Sequence, residues 1–264
     1  MKNVVIRRWS VGAASVVLGL GAVGCGGQKG GDSTAGHAPG AENAARTASA
    51  GTPTPQSPAR RPLTQDQLER AVVDKRDLPG WTISRLGAGT DGFGDGTVSA
   101  LREEGTHPAS CAPVGSALSG ASKYTPLGSV TRMVQNEDVI STMHLVSYRA
   151  ADAVRVMDEL RSALATCTSY TMTFPADTTF EKLAPTGDPH QGEEGVSFRL
   201  DVVDRSPGGD SDPYRRLQSY QVIRSGSTVA VFDAVDVDVY RLKKIPAALV
   251  TAQMKVLETG GHQR

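Results

Sequence analysis

The sequence predicts an α+β fold: a single antiparallel β-sheet with two or three packed helices and one disulfide. Three observations carry that prediction. Residues 150–167 put Ala153, Val156, Met157, Leu160, Leu164 and Cys167 on one face at 3.6-residue spacing, with Asp152, Arg155, Asp158, Glu159 and Arg161 mainly on the other. Val196, Phe198, Leu200 and Val202 alternate with Ser197, Arg199 and Asp201, which is how a strand buried on one face reads. Two further strand-like runs, 216–224 and 228–235, meet at Ser225-Gly226, where a tight hairpin turn makes them antiparallel neighbours.

The other elements follow along the chain. Thr64-Gln65-Asp66-Gln67 has the spacing of a capping box, so a short helix begins there with Leu68, Ala71 and Val72 as its apolar stripe. Pro79-Gly80 ends that unit in a turn, and Trp81-Thr82-Ile83 alternates like an edge strand. Residues 86–110 are Gly-rich and read as a long loop, and 111–120 as a short helix. Val130–Val134 and Val139–Tyr148 are strands joined by a turn at Asn136-Glu137-Asp138, and Ser169–Phe174 is another strand. Ser206-Pro207-Gly208-Gly209-Asp210 reads as a loop. A last helix starts near Pro246, which suits a first turn. It lines up Leu249, Ala252, Gln253 and Val256, and stops at Gly260-Gly261.

The N-terminus carries an address. Lys2, Arg7 and Arg8 precede an apolar run from Val11 to Val23, too short and Gly-rich for a permanent span. The run ends in Gly21-Ala22-Val23-Gly24-Cys25, which resembles the bacterial lipobox, with Ala22 where Leu is usual. That resemblance implies cleavage before Cys25 and lipidation of its thiol, with acyl chains such as palmitate as the membrane anchor. The competing reading is an ordinary signal peptide with Cys25 left free. Arg7-Arg8-Trp9-Ser10 is compatible with either general or twin-arginine export. Removal of residues 1–24 takes away three positive charges, so the remainder carries a formal charge of −3 and gains nothing from anionic lipid. The predicted organisation is therefore a signal peptide over 1–24, a lipid-anchored flexible tether over 25–60 and an extracytoplasmic α+β domain over 61–264. The tether is rich in Gly, Ala, Ser, Thr and Pro, and no aromatic occurs between Trp9 and Trp81. About 35 such residues have a random-coil reach of roughly 30 Å.

Composition excludes several classes. The 28 basic and 28 acidic side chains among 264 residues leave no basic footprint for nucleic acid. A 39% hydrophobic fraction supports a packed core, and only 5% aromatics argues against an aromatic-lined sugar or single-strand site.

Cys111 and Cys167 are the remaining cysteines, and in an exported protein an even pair reads as a disulfide. Two buried thiols or a metal pair are the alternatives, but no third and fourth soft ligand stands nearby in sequence. Leu78-Pro79-Gly80-Trp81, His107-Pro108-Ala109-Ser110-Cys111-Ala112-Pro113, and Val146-Ser147-Tyr148 leading into the helix toward Cys167 together resemble the actinobacterial extracellular sensor domain. That domain is found on PknH-like receptor kinases and in stand-alone lipoproteins. The resemblance spans about residues 63–257. It implies an antiparallel sheet with flanking helices and a cleft for a ligand, and it supplies no catalytic residue. The family's usual second disulfide has no cysteines here, and there is no kinase half.

Chemical motifs fail at their decisive positions. Asp91-Gly92-Phe93-Gly94-Asp95-Gly96 imitates a calcium loop, but Phe93 stands at position three and Arg102 at position twelve. Gly209-Asp210-Ser211 imitates a lipase-like nucleophile block, yet Asp212-Pro213 follows and no Gly-x-Ser-x-Gly elbow exists. His37 and His262 lie in the tether and the tail. His144 reads as a sheet histidine sharing a face with Ile140, Thr142, Val146 and Tyr148. His190, Glu193 and Glu194 read as a polar loop, not a metal site, and Asp233, Asp236 and Asp238 as strand-end charges. No catalytic residue, metal or cofactor is expected. The expectation is a cell-surface lipoprotein that binds or senses without turnover, partnered by the membrane and by a small ligand or an envelope protein. The alternatives are a cell-wall hydrolase with unrecognised catalytic residues and a docking lipoprotein without a small ligand.

Overall fold

Helix α1 (Gln65–Arg70) starts where its cap dictates. The Thr64 hydroxyl accepts from the Gln67 N–H, and the Gln67 side chain accepts from the Thr64 N–H at 2.8 Å. A computed structural model describes residues 61–85, 105–173, 178–204, 214–236 and 244–260. Cys25, the tether, the Asp91–Gly96 stretch, the Gly209-Asp210-Ser211 loop and Asp238 lie outside them.

The strands are β1 (Thr82–Arg85), β2 (Thr106–His107), β3 (Gly128–Gln135), β4 (Val139–Ser147), β5 (Tyr170–Met172), β6 (Thr178–Gly187), β7 (Glu194–Asp204), β8 (Tyr214–Ser225) and β9 (Thr228–Asp236). They form one antiparallel sheet in the order β1-β3-β4-β9-β8-β7-β6-β5-β2. Besides α1, the helices are α2 (Ala112–Ala117), preceded by a 3-10 turn, α3 (Ala150–Leu164) and α4 (Ala247–Thr259). The sheet is larger than the sequence suggested, and the described residues hold four α-helices where two or three were expected.

The helices cover both faces of the sheet. On one face α3 lies over β6, β7 and β8, and α2 lies against α3. The core there contains Met157, Leu160, Leu164, Phe198, Leu200 and Val222. On the other face α1 lies over β3 and β4, and α4 over β8, enclosing Leu68, Met143, Leu145, Phe232, Leu249 and Val250. Strand β9 is buried on both sides from Val229 to Phe232, so that stretch reads as a continuous apolar run.

Gln253 ties the second layer together. It is fully buried, donates to the Ala71 carbonyl at 2.6 Å and accepts from the Val73 N–H at 3.0 Å. Helix α4 ends at Gly260 in the left-handed conformation, φ +82°, as a glycine C-cap allows. Among the described residues no helix is long and apolar enough to cross a membrane.

Candidate functional site

Cys111 and Cys167 are bonded, with Cα atoms 5.5 Å apart. The bridge ties the start of α2 to the chain just past the end of α3, and both cysteines are buried in the core beneath those helices. It is a structural staple, which leaves the titratable groups of the sheet as the candidates for chemistry.

Strand alternation assembles them. One row of side chains crosses the α3-facing side of the sheet: Ser84 opposite Met133, Met133 opposite Thr142, then Asp233, Tyr220 and Phe198. Thr142 and Asp233 are joined by a hydrogen bond from the Thr142 N–H to the Asp233 carboxylate at 2.5 Å. Thr131 and His144 oppose each other one row further along, and Gln218 and Arg216 follow Tyr220 at every second position of β8. The apolar end of the Asp233 row continues into the core under α3, where Phe198 stacks on Tyr220 at 5.2 Å. Thr142, His144, Asp233 and Arg216 are half-buried.

Burial controls the charges. Loss of hydration raises the Asp233 carboxyl to about 6, against hydrogen bonds from Thr142 and the positive charge of Arg216. The same loss lowers His144 to about 4, so its imidazole is neutral at pH 7. Its Nδ1 lies 3.0 Å from the Thr131 hydroxyl, and a Cβ on Gly120 would stand 2.6 Å from the His144 Cβ, so glycine is needed there. Tyr220 is raised well above the ordinary tyrosine value, first by burial and then by Asp233, and its hydroxyl donates to Gln218 at 2.8 Å. Three described polar atoms on this face, Arg216 Nε, Ser84 Oγ and Tyr170 Oη, are buried without a hydrogen-bond partner.

His144 indeed shares its face with Thr142, Val146 and Tyr148, and Asp233 stands in the adjacent row. Asp236 belongs to β9 by its backbone, paired with Val139. His107 pairs with Thr171 at the far edge, and His190 is exposed. Glu193 and Glu194 are committed to ion pairs. Glu194 joins Arg161 of α3 to Arg224 of β8, and Glu193 also pairs with Arg224. Burial opposes the Glu194 charge, but hydrogen bonds from Arg224 and Arg161 hold its carboxyl below the usual range. Among the described residues no group of three His, Cys, Asp or Glu side chains could hold a metal ion.

Sequence reasoning missed Ser84, Thr131, Thr142, Arg216, Gln218 and Tyr220. A signal existed: polar residues recur at every second position of β8 on a face whose partners in β7 are apolar. Two open surface hollows lie elsewhere. One, about 440 Å³, is lined by Ser110, Pro113, Lys123, Asp158 and Glu159. The other, about 550 Å³, is lined by His107, Thr171, Thr179, Glu181 and Lys182. In the first, Glu159 is engaged by Lys123 and Tyr124, and in the second Glu181 pairs with Arg215 and Lys182 with Asp201.

No sequence-family profile matches the chain, and no curated protein matches it. Among solved structures, the extracellular domain of PknH from Mycobacterium tuberculosis is weakly similar. The TM-score is 0.42 at 10% identity, covering 76% of this chain and 97% of that one.

Proposed function

We propose that the chain is a lipid-anchored, extracytoplasmic binding or sensor-like module that turns nothing over, with the polar row on the α3-facing side of the sheet as its ligand-facing surface. The observation that carries this reading is how the titratable groups of the row are used. Asp233 accepts from the Thr142 backbone, His144 meets the Thr131 hydroxyl, and Tyr220 donates to Gln218. Each bond holds a side chain to the sheet. General acid–base or nucleophilic chemistry instead needs a nucleophile bonded to a base, and that base bonded to an orienting group. The N-terminal sequence supports export and anchoring through Cys25, and the buried disulfide suits an oxidising compartment.

A thermal-shift panel of cell-wall fragments, lipids and divalent metal ions, applied to the full chain, tests the reading. Binding to the native state raises the melting temperature, by about 2.7 kcal/mol of stabilisation at one hundred times the dissociation constant. Steady conversion of any wall fragment, lost on changing Asp233 or His144, would overturn it. A panel without any shift, together with specific crosslinking to one envelope protein, would assign the chain to docking instead.

A further inference from the structure

We propose that the open hollow at the β2–β5–β6 end of the sheet binds an uncharged saccharide through hydroxyls that the fold leaves unused. This is a second site, on the side of the sheet away from α3, and it stands or falls independently of the polar row.

Strand register builds it. His107, Thr171 and Thr179 lie directly opposite one another on β2, β5 and β6. Their neighbours Tyr170 and Phe180 belong to the core under α3, so alternation turns Thr171 and Thr179 to the other side. Neighbouring strands are about 4.8 Å apart, so the row is roughly 10 Å long. A hollow of about 550 Å³ opens along it, and Thr168 and Ser169, just before β5, add two more hydroxyls to its wall. His107, Thr168, Ser169 and Thr171 are exposed and Thr179 is half-buried, so a ligand reaches all five. None of these five side chains makes a hydrogen bond among the described residues.

The charged groups of the hollow are already committed. Glu181 pairs with Arg215 at 2.7 Å, and Lys182 with Asp201 at 2.8 Å. A charged ligand finds no unpaired opposite charge there, whereas an uncharged one needs none. Each hydroxyl both donates and accepts, so a group of them matches a ligand that does both at closely spaced positions, as the hydroxyls of a sugar ring do. The Tyr170 ring is 2% exposed and stacked on Phe180 at 4.6 Å, so it offers no face to a sugar. Recognition therefore runs through hydrogen bonds that replace bound water. Each gives a modest net gain, which sets a dissociation constant on the order of 1 mM.

Saturation-transfer NMR reads binding of that strength. The full chain, in a detergent without a sugar headgroup, would be titrated with maltotriose and with tri-N-acetylchitotriose. The decisive variant is Thr171→Val with Thr179→Val, which exchanges two hydroxyls for methyls at strand positions that valine favours. At least one saccharide should bind wild type, roughly fivefold or more weakly in the double variant, and equally well in Asp233→Asn. If the double variant does not melt cooperatively, Thr171→Val alone decides, at an exposed position. Equal affinity in wild type and the folded variant, or no saturation transfer with either saccharide, would overturn the proposal. So would displacement of the saccharide by an equal concentration of inorganic phosphate. Binding lost in Asp233→Asn but kept in the double variant would overturn this site and place the saccharide on the polar row.

Discussion

Replacing Gln253 by Leu removes the bond between the two ends of the folded unit while keeping nearly the same volume. The residue is fully buried, 180 positions from Val73, and satisfies one donor and one acceptor of the 71–73 segment. The substitution leaves the Val73 N–H and the Ala71 carbonyl buried without partners. Each orphaned group costs about 1–3 kcal/mol, so the expected loss is roughly 2–6 kcal/mol. Leu fills the space, so no large cavity adds to this. For a folded unit near 200 residues, that loss lowers the melting temperature by roughly 4–24 °C. Urea denaturation should show a lower midpoint at an unchanged slope, since the exposed surface is the same. Amide exchange at Val73 should rise more than at Phe232 in the sheet centre. A midpoint shift equivalent to less than about 0.5 kcal/mol would refute the argument that Gln253 holds α4 to the segment after α1.

Three further outcomes are expected. Reducing Cys111–Cys167, which closes a loop with a sequence separation of 56, should cost about 4 kcal/mol by the chain-entropy relation and lower the melting temperature by several degrees; an unchanged melt under full reduction would contradict this. Acidification should act on His144 and Asp233 in opposite senses. His144 has a folded pKa below its unfolded value, so its contribution is present above pH 6.5 and is lost as pH falls toward 4. Asp233 has a raised folded pKa, so the fold gains from its protonation as pH falls from about 6 toward 4 and loses that gain as pH rises. His144→Gln should therefore make the protein gain stability on acidification relative to wild type between pH 6.5 and 4, and identical pH profiles would refute the assignment. Finally, Cys25→Ser should abolish palmitate labelling and membrane retention; a mutant still labelled and still in the membrane fraction would remove the anchor.

Local signals in the sequence located most elements. The capping box at Thr64–Gln67, the amphipathic stripe of α3, the turn at Asn136–Asp138 and the glycine stop of α4 each depend on a few adjacent residues, and each stands where those residues place it. The β8–β9 turn falls one position later than expected, at Gly226-Ser227, with Gly226 at φ +61°. Strand β6 was not legible. Lys182 adopts φ +52° inside the first of two register shifts, and Pro185 and Gly187 lie within the strand, so its alternation is broken. The pairing of β4 with β9 joins residues about ninety apart, and nothing local encodes it. The same non-local pairing hid the candidate site: Asp233 and His144 were visible singly, but their common face with Thr142, Tyr220 and Arg216 exists only once β4, β9 and β8 are side by side.

The central claim is binding without turnover at that row, and the fate of a bound molecule tests it most directly. The immobilised full chain would be incubated with a soluble cell-wall digest and washed, and the retained fragments eluted and weighed by mass spectrometry against the input. The account predicts that wild type retains fragments unchanged in mass and that Arg216→Lys retains far less. Fragments released with new cleavage masses, absent when Asp233→Asn replaces wild type, would contradict it.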